Sequence, residues 1–288
     1  MAPDTLAPDT RTELAAYEDS LKILAYGIQR DTVKEQRQLY VRSFIKTLAR
    51  ALKVEDSFYH PFDSLQSISF QYPADSSFRV ITFQLYVDVN EYRYYGAIQK
   101  NSSELQLYPL VDRSHEIDYA EKRTLTPDRW YGALYYNIKQ FETPDGPKYL
   151  LFGFDGHSFW QRQKLVDVLY FDEEGQPKFG APVFVDIDPR MGERTRKRIL
   201  LNYSANASIT LNFNTDEDMI IYDNLAPMKG EYGQGETFIP DGTYRGYQLK
   251  DGLWVGVEKV FNTILEEAPR EQPIFDKREK RGLFGGPE

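Results

Sequence analysis

The residues with the most chemical capacity stand in one short stretch, Asp155-Gly156-His157-Ser158-Phe159-Trp160-Gln161-Arg162. It holds a carboxylate, an imidazole, two large aromatic rings and a guanidinium. On a loop at a strand end, such a set can stack on a sugar and hydrogen-bond its hydroxyls. Asp155, His157, Phe159, Trp160 and Arg162 are therefore the candidate binding residues. The plainer reading is that Asp-Gly is turn chemistry and the aromatics fold back on the sheet.

Asp167 sits between Val166 and Val168, in the middle of an apolar run. A carboxylate there needs a cation, and Arg162 or Arg198 would serve. A glycosidase would pair such an acid with a second carboxylate, and none is identifiable. The three histidines, His60, His115 and His157, lie far apart, and zinc needs three or four converging ligands. Asp216, Glu217, Asp218 and Asp223 offer oxygens suited to calcium but match no EF-hand spacing. Gly230, Gly233 and Gly235 lack the strand-then-helix setting of a dinucleotide loop. No G-x-S-x-G or phosphate-binding loop occurs, so no catalytic residue, metal or cofactor is expected. Three Asn-x-Ser sequons occur, at Asn101, Asn202 and Asn206.

The elements that position these groups are strands. From Trp130 to Val185, four runs rich in Tyr, Phe, Val, Ile and Leu alternate with Pro, Asp and Gly clusters. That pattern predicts a four-stranded antiparallel meander. Its strands are Trp130–Ile138, Lys148–Asp155, Arg162–Phe171 and Lys178–Val185. The runs at 150–154 and 165–171 are almost continuously apolar, which implies cover on both faces. A meander before it is expected at about 67–72, 78–89, 92–99 and 105–111. After a charged loop, Asp186 to Arg198, a third is expected at Ile199–Ser204, Ala207–Phe213 and Met219–Tyr222. A last hairpin is expected at Tyr244–Leu249 and Leu253–Val257.

Helices are confined to the start. Thr10 with Glu13 and Thr32 with Glu35 read as capping boxes. Leu14, Tyr17, Leu21, Leu24 and Ile28 form one apolar stripe; Val41, Phe44, Ile45, Leu48 and Leu52 form the other. With a break at Gly27–Asp31, they predict a helical hairpin laid on the sheet. The fold class is mainly β: antiparallel meanders, sandwich-like or propeller-like, with an N-terminal helical hairpin. The domains are a flexible leader at 1–9, the hairpin at 10–56, an antiparallel β domain at 57–269 and a flexible tail at 270–288.

Bulk properties narrow the function. The chain has 288 residues, 41% hydrophobic and 27% charged, enough for a core without staples. Aromatics at 15%, with 21 tyrosines, favour strands. The net charge of −9 argues against nucleic-acid binding. The absence of cysteine excludes disulfides and thiol chemistry. No run of about 18 apolar residues occurs, so no membrane span is expected. Met1-Ala2-Pro3-Asp4 lacks the basic and apolar regions of a signal peptide.

WYGALYYNI, YLLFGFDG, RQKLVDVLYFDEEGQPKFGAPVF, LNYSANASITLNF and IIYDNLAP together resemble an uncharacterised protein family of Bacteroidota, over roughly 60 to 260. The resemblance implies export to the cell envelope or periplasm if a signal was removed before this numbering, and a cytoplasmic location otherwise. No activity is attached to that family, so no catalytic residue is carried over. The reading is a non-catalytic, envelope-associated binding or scaffold protein whose partner is another envelope protein or a glycan. The alternatives are a hydrolase of envelope polysaccharide acting through scattered carboxylates, and a structural assembly subunit.

Overall fold

The computed structural model describes residues 6–188, 192–230, 235–258 and 260. Two helices open it: α1 (Pro8–Arg30) and α2 (Lys34–Ala51). Leu14, Leu21, Ala25 and Ile28 of α1 pack with Val41, Phe44 and Leu48 of α2, as the stripes predict. The ends differ from the sequence reading. α1 starts at Pro8 on Ala7, with no side-chain cap, and runs through Gly27 to Arg30. Proline pre-sets the first helical φ, so the start needs no capping box at Thr10. α2 begins after Val33, whose N–H donates to Asp31 Oδ1 at 2.8 Å, so Asp31 and not Thr32 organises that turn. Leu6, inside the expected leader, is buried in the helix core. Residues 1–5, the tail at 270–288 and the end of the β domain at 261–269 lie outside the described residues.

Three sheets follow. The first is a meander of β1 (Ser69–Gln71), β2 (Phe78–Asp88), β3 (Glu91–Lys100) and β4 (Leu107–Val111), close to the predicted bounds. The central sheet contains β5 (Leu134–Thr143), β6 (Gly146–Asp155), β7 (Gln161–Phe171) and β8 (Pro177–Phe179). The third contains β9 (Phe184–Asp188), β10 (Gly192–Arg196), β12 (Leu211–Asn214), β13 (Met219–Lys229), β14 (Glu236–Lys250) and β15 (Leu253–Glu258). β11 (Ile199–Ser204), expected in the third unit, instead pairs with β7 and gives the central sheet the order β11-β7-β6-β5. The order of the third is β10-β9-β15-β14-β13-β12, and only its β9–β15 pair is parallel.

Other corrections share one cause, which is that local periodicity does not see which sheet a strand joins. The run 178–185 is divided between β8 in the central sheet and β9 in the third. Most of the described part of the charged loop 186–198 lies in β9 and β10, which pair antiparallel. The turn Ser204–Ala207 links two sheets and closes no hairpin. β5 begins only at Leu134, because Gly132 adopts a φ of 70° that breaks an extended run.

The layers stack face to face in a sandwich-like way, held by alternation along the strands. Ile81, Phe83, Leu85 and Val87 meet the helices, whereas Phe78 and Val80 face the central sheet. On β6, Tyr149 and Leu151 face the first sheet, whereas Leu150 and Phe152 face the third. β7 does the same with Leu165 and Leu169 against Val166 and Val168. The central sheet is thus covered on both sides, and each fully buried side chain contributes about 1.5–3 kcal/mol of burial free energy. A fully buried arginine pins the connector between helices and sheets. Arg79 donates to the carbonyls of Ser57 and His60 at 3.0 and 2.8 Å, with the rings of Phe58, Phe62, Phe70 and Tyr72 around it.

Candidate functional site

At one end of the interface between the first and central sheets lies a cleft of about 410 Å³. Four segments build it. The start of β3 supplies Glu91, Tyr92, Arg93 and Tyr94; the segment after β4 supplies Asp112 and His115. Tyr131, just before β5, and Asp155 with His157, at the end of β6, complete the wall. Gly156 lies so close to Tyr92 that a Cβ there would stand 2.9 Å from the ring, so glycine sets the approach of these two segments.

The floor is a hydrogen-bonded row. Tyr94 is buried; its hydroxyl donates to Asp155 Oδ1 at 3.0 Å and accepts the Gly156 N–H at 2.7 Å. Its backbone N–H donates to Asp112 Oδ2 at 3.0 Å. Asp112 Oδ1 accepts the N–H and the hydroxyl of Ser114 at 3.0 and 2.8 Å. Burial, helped by the neighbouring Asp155 charge, pushes the Tyr94 phenol well above its ordinary range, so it stays a donor. Burial likewise raises Tyr131. Both carboxylates are held by neutral donors of the protein, and the lining cation, Arg93, is paired with Glu91 at 3.0 Å.

His157 stands at the rim. Its φ of 52° lets its N–H donate to Asp155 Oδ1 at 2.8 Å, while Nδ1 sits 3.6 Å from Asp155 Oδ2. The interaction of the ring with that carboxylate raises the imidazole's pKa above its ordinary value, against the opposing effect of burial.

The five residues predicted from sequence divide into three roles. Asp155 and His157 line the cleft. Arg162 fastens their loop: its Nη1 donates to the carbonyl of Gly156 at 3.0 Å and to that of Ser158. Phe159 and Trp160 are not among the cleft's lining residues; they pack edge to face on each other at 4.7 Å, and the Phe159 N–H donates to Asn90 Oδ1. Sequence reasoning missed Tyr92, Tyr94, Asp112, His115 and Tyr131 as partners. Tyr92 and Tyr94 alternate on one strand face, which is the signal that was present; nothing local ties them to Asp155.

The remaining candidates resolve into structural roles. Asp167 and Arg198 are both fully buried and form an ion pair at 2.8 Å. Arg198 also donates to the Ala120 carbonyl at 2.6 Å, and Asp167 accepts the Val168 N–H at 2.9 Å. His60 meets Glu18 at 2.6 Å, where it ties α1 to the connector. Asp216 and Glu217 direct their N–H groups onto Asn214 in the exposed β12–β13 turn. Gly230 and Gly235 close the β13–β14 hairpin at 2.9 Å; Gly233 lies outside the described residues. Among the described residues, no group of three or more His, Asp or Glu side chains converges as a metal ion would require, and no helix is long and apolar enough to cross a membrane.

No protein-family profile, curated protein or solved structure matches this chain.

Proposed function

We propose that this chain is a non-catalytic binding protein of the cell envelope and that the cleft beside Asp155 and His157 takes a sugar-like portion of a glycan. One observation carries the reading. Three tyrosines and a set of polar side chains from four separate segments converge on one cleft between two rigid sheets. Aromatic rings beside directional polar groups suit a ligand with both ring faces and hydroxyls. The envelope location rests on the sequence resemblance alone.

The hydrolase reading is the runner-up, because Asp112 and Asp155 line the same cleft. A hydrolase needs one carboxyl free to give a proton and another free to attack or to activate water. Here the donors on Asp112 and on Asp155 Oδ1 come from the protein itself, and Asp155 Oδ2 faces His157. That arrangement favours holding over turnover. Asp167, sealed by Arg198, is out of a ligand's reach.

The test is retention on a panel of immobilised polysaccharides at neutral pH, with subcellular fractionation of the native host alongside. Wild-type protein should be retained by at least one glycan without releasing reducing ends. Gly156→Ala, which drives a methyl group into Tyr92, should weaken retention. Reducing ends that disappear in Asp112→Asn or Asp155→Asn would establish the hydrolase instead. Retention that survives every cleft variant would move the site elsewhere.

A further inference from the structure

The hydrogen-bonding groups around the cleft are not evenly spent. Its two deep carboxylates are taken up by the Tyr94 hydroxyl and N–H, by Ser114 and by the His157 N–H. The groups with capacity left lie at the rim: Glu91 Oε2 accepts, Arg93 donates, and the outward nitrogens of two imidazoles accept when neutral and donate when protonated. Arg93 gives Nε and Nη2 to Glu91 and keeps Nη1. His157 directs Nδ1 toward Asp155 and keeps Nε2, with its side chain 44% exposed. His115, 65% exposed, has Nε2 at 3.4 Å from Glu116 Oε1 and keeps Nδ1. With both imidazoles protonated, a ligand entering this cleft meets N–H groups of Arg93, His115 and His157 at the rim.

Charge adds a condition. With neutral imidazoles, the lining carries Glu91, Asp112 and Asp155 against Arg93, three carboxylates against one guanidinium. An anion is repelled in that state. A proton on each of the two rim imidazoles brings the lining to neutrality and turns both rings into double donors. The other charges nearby are Arg113 and Glu116, which neutralise each other at 3.0 Å, and Arg162, whose Nη1 donates to the carbonyls of Gly156 and Ser158 on either side of His157.

We propose that the ligand carries a carboxylate, as a uronic acid sugar does, and that its binding is linked to the protonation of His157. This rests on the glycan-binding reading and adds the ligand's charge and its dependence on pH. The Asp155 carboxylate, 3.6 Å from His157 Nδ1, supports the linkage, since it favours the charged ring. Reciprocity then requires that the bound carboxylate hold the proton on His157 more tightly.

The experiment pairs uronate-containing oligosaccharides with their neutral parent sugars and measures affinity from about pH 8 down to about pH 5.5, the range of histidine titration. Uronate affinity should rise about tenfold as pH falls, the equivalent of one pKa unit of coupling, while affinity for the neutral parents stays flat. His157→Asn should reduce the slope, and His115→Asn added to it should remove the rest; asparagine tolerates the left-handed φ at position 157, so the loop is preserved. In the wild-type protein, NMR titration of His157 should show its pKa rising when a uronate is bound. Neutral sugars bound as well as uronates at every pH would overturn the inference and leave glycan binding standing. A uronate slope unchanged in His157→Asn would overturn the role of His157. Binding of neither class at any pH would overturn both this inference and the reading beneath it.

Discussion

Two aspartates of the central sheet show how position along a strand decides what a carboxylate is for. Asp167 lies within β7, where both faces are covered, and it has a full cation: Arg198 at 2.8 Å, with neither side chain exposed. Asp155 ends β6, where the two sheets part, and is held by a tyrosine hydroxyl, a backbone N–H and a nearby imidazole. The first arrangement is closed; a ligand has no route to it. The second includes a group that titrates and a side that opens to a cleft. In the sequence Asp155 reads as a binding carboxylate and Asp167 as a buried acid in need of a cation, and the fold separates them by access to the cleft.

The largest expected effect tests the closed member. Asp167→Ala leaves Arg198 buried and unpaired, and breaking such a pair costs about 3–5 kcal/mol. Urea unfolding should show it; a loss below about 1 kcal/mol would mean that Arg198 is compensated elsewhere. Asp155→Ala should cost less, about 1–3 kcal/mol, because the groups it strands, the Tyr94 hydroxyl and the His157 N–H, are neutral. If the two losses are equal, the contrast drawn here fails. Gly156→Ala should change stability by less than about 1 kcal/mol, because Tyr92 is only partly buried and can shift, yet weaken glycan retention. A stability loss as large as that of Asp155→Ala would instead make this contact part of the core.

The smallest effect is a pH slope. The folded pKa of His157 is raised above its unfolded value. Its contribution is therefore fully present below about pH 6.5 and is lost as pH rises through the folded pKa. The stability gap between wild type and His157→Asn should be wider at about pH 5.5 than at about pH 8.5, and small throughout because the ring is partly in water. The same comparison on Asp167→Asn should show no slope in that window, since Arg198 keeps its charge there. A histidine-range slope lost in Asp167→Asn would break the distinction.

What the sequence made legible follows the same line between local and distant. Strands 78–88, 91–100 and 161–171 could be read because alternation and turn residues are local. Cover on both faces of the central sheet could be read because Leu150, Leu151 and Phe152 are consecutive and apolar. Arg198 was one of two cations open to Asp167, and pairing of β11 with β7 decides between them. The cleft was half legible. Asp155 and His157 announce themselves on one loop, but Tyr94 comes from β3 and Asp112 from the segment after β4, and no spacing encodes that meeting. The extended segment before β5 was misjudged for a backbone reason, the positive φ of Gly132. The helix starts were misjudged because capping-box residues occur more often than the caps they make, and here Pro8 and Asp31 act instead.

The parallel β9–β15 pair has a consequence for the order in which the molecule is assembled. Phe184 and Val185 pair with Trp254 and Val255, so β9 is synthesised long before the strand that receives it. The first sheet and the helices need only neighbouring segments and can condense while the chain is still emerging. The third sheet must wait, with β9 exposing Phe184 and Val185, until β15 arrives to lie between β9 and β14. Loop closure over so long a span is slow, and the interval leaves an unpaired apolar strand open to other chains. Refolding should therefore show an early phase from the helix and first-sheet tyrosines and a late phase from Trp254. The late phase is where aggregation would compete.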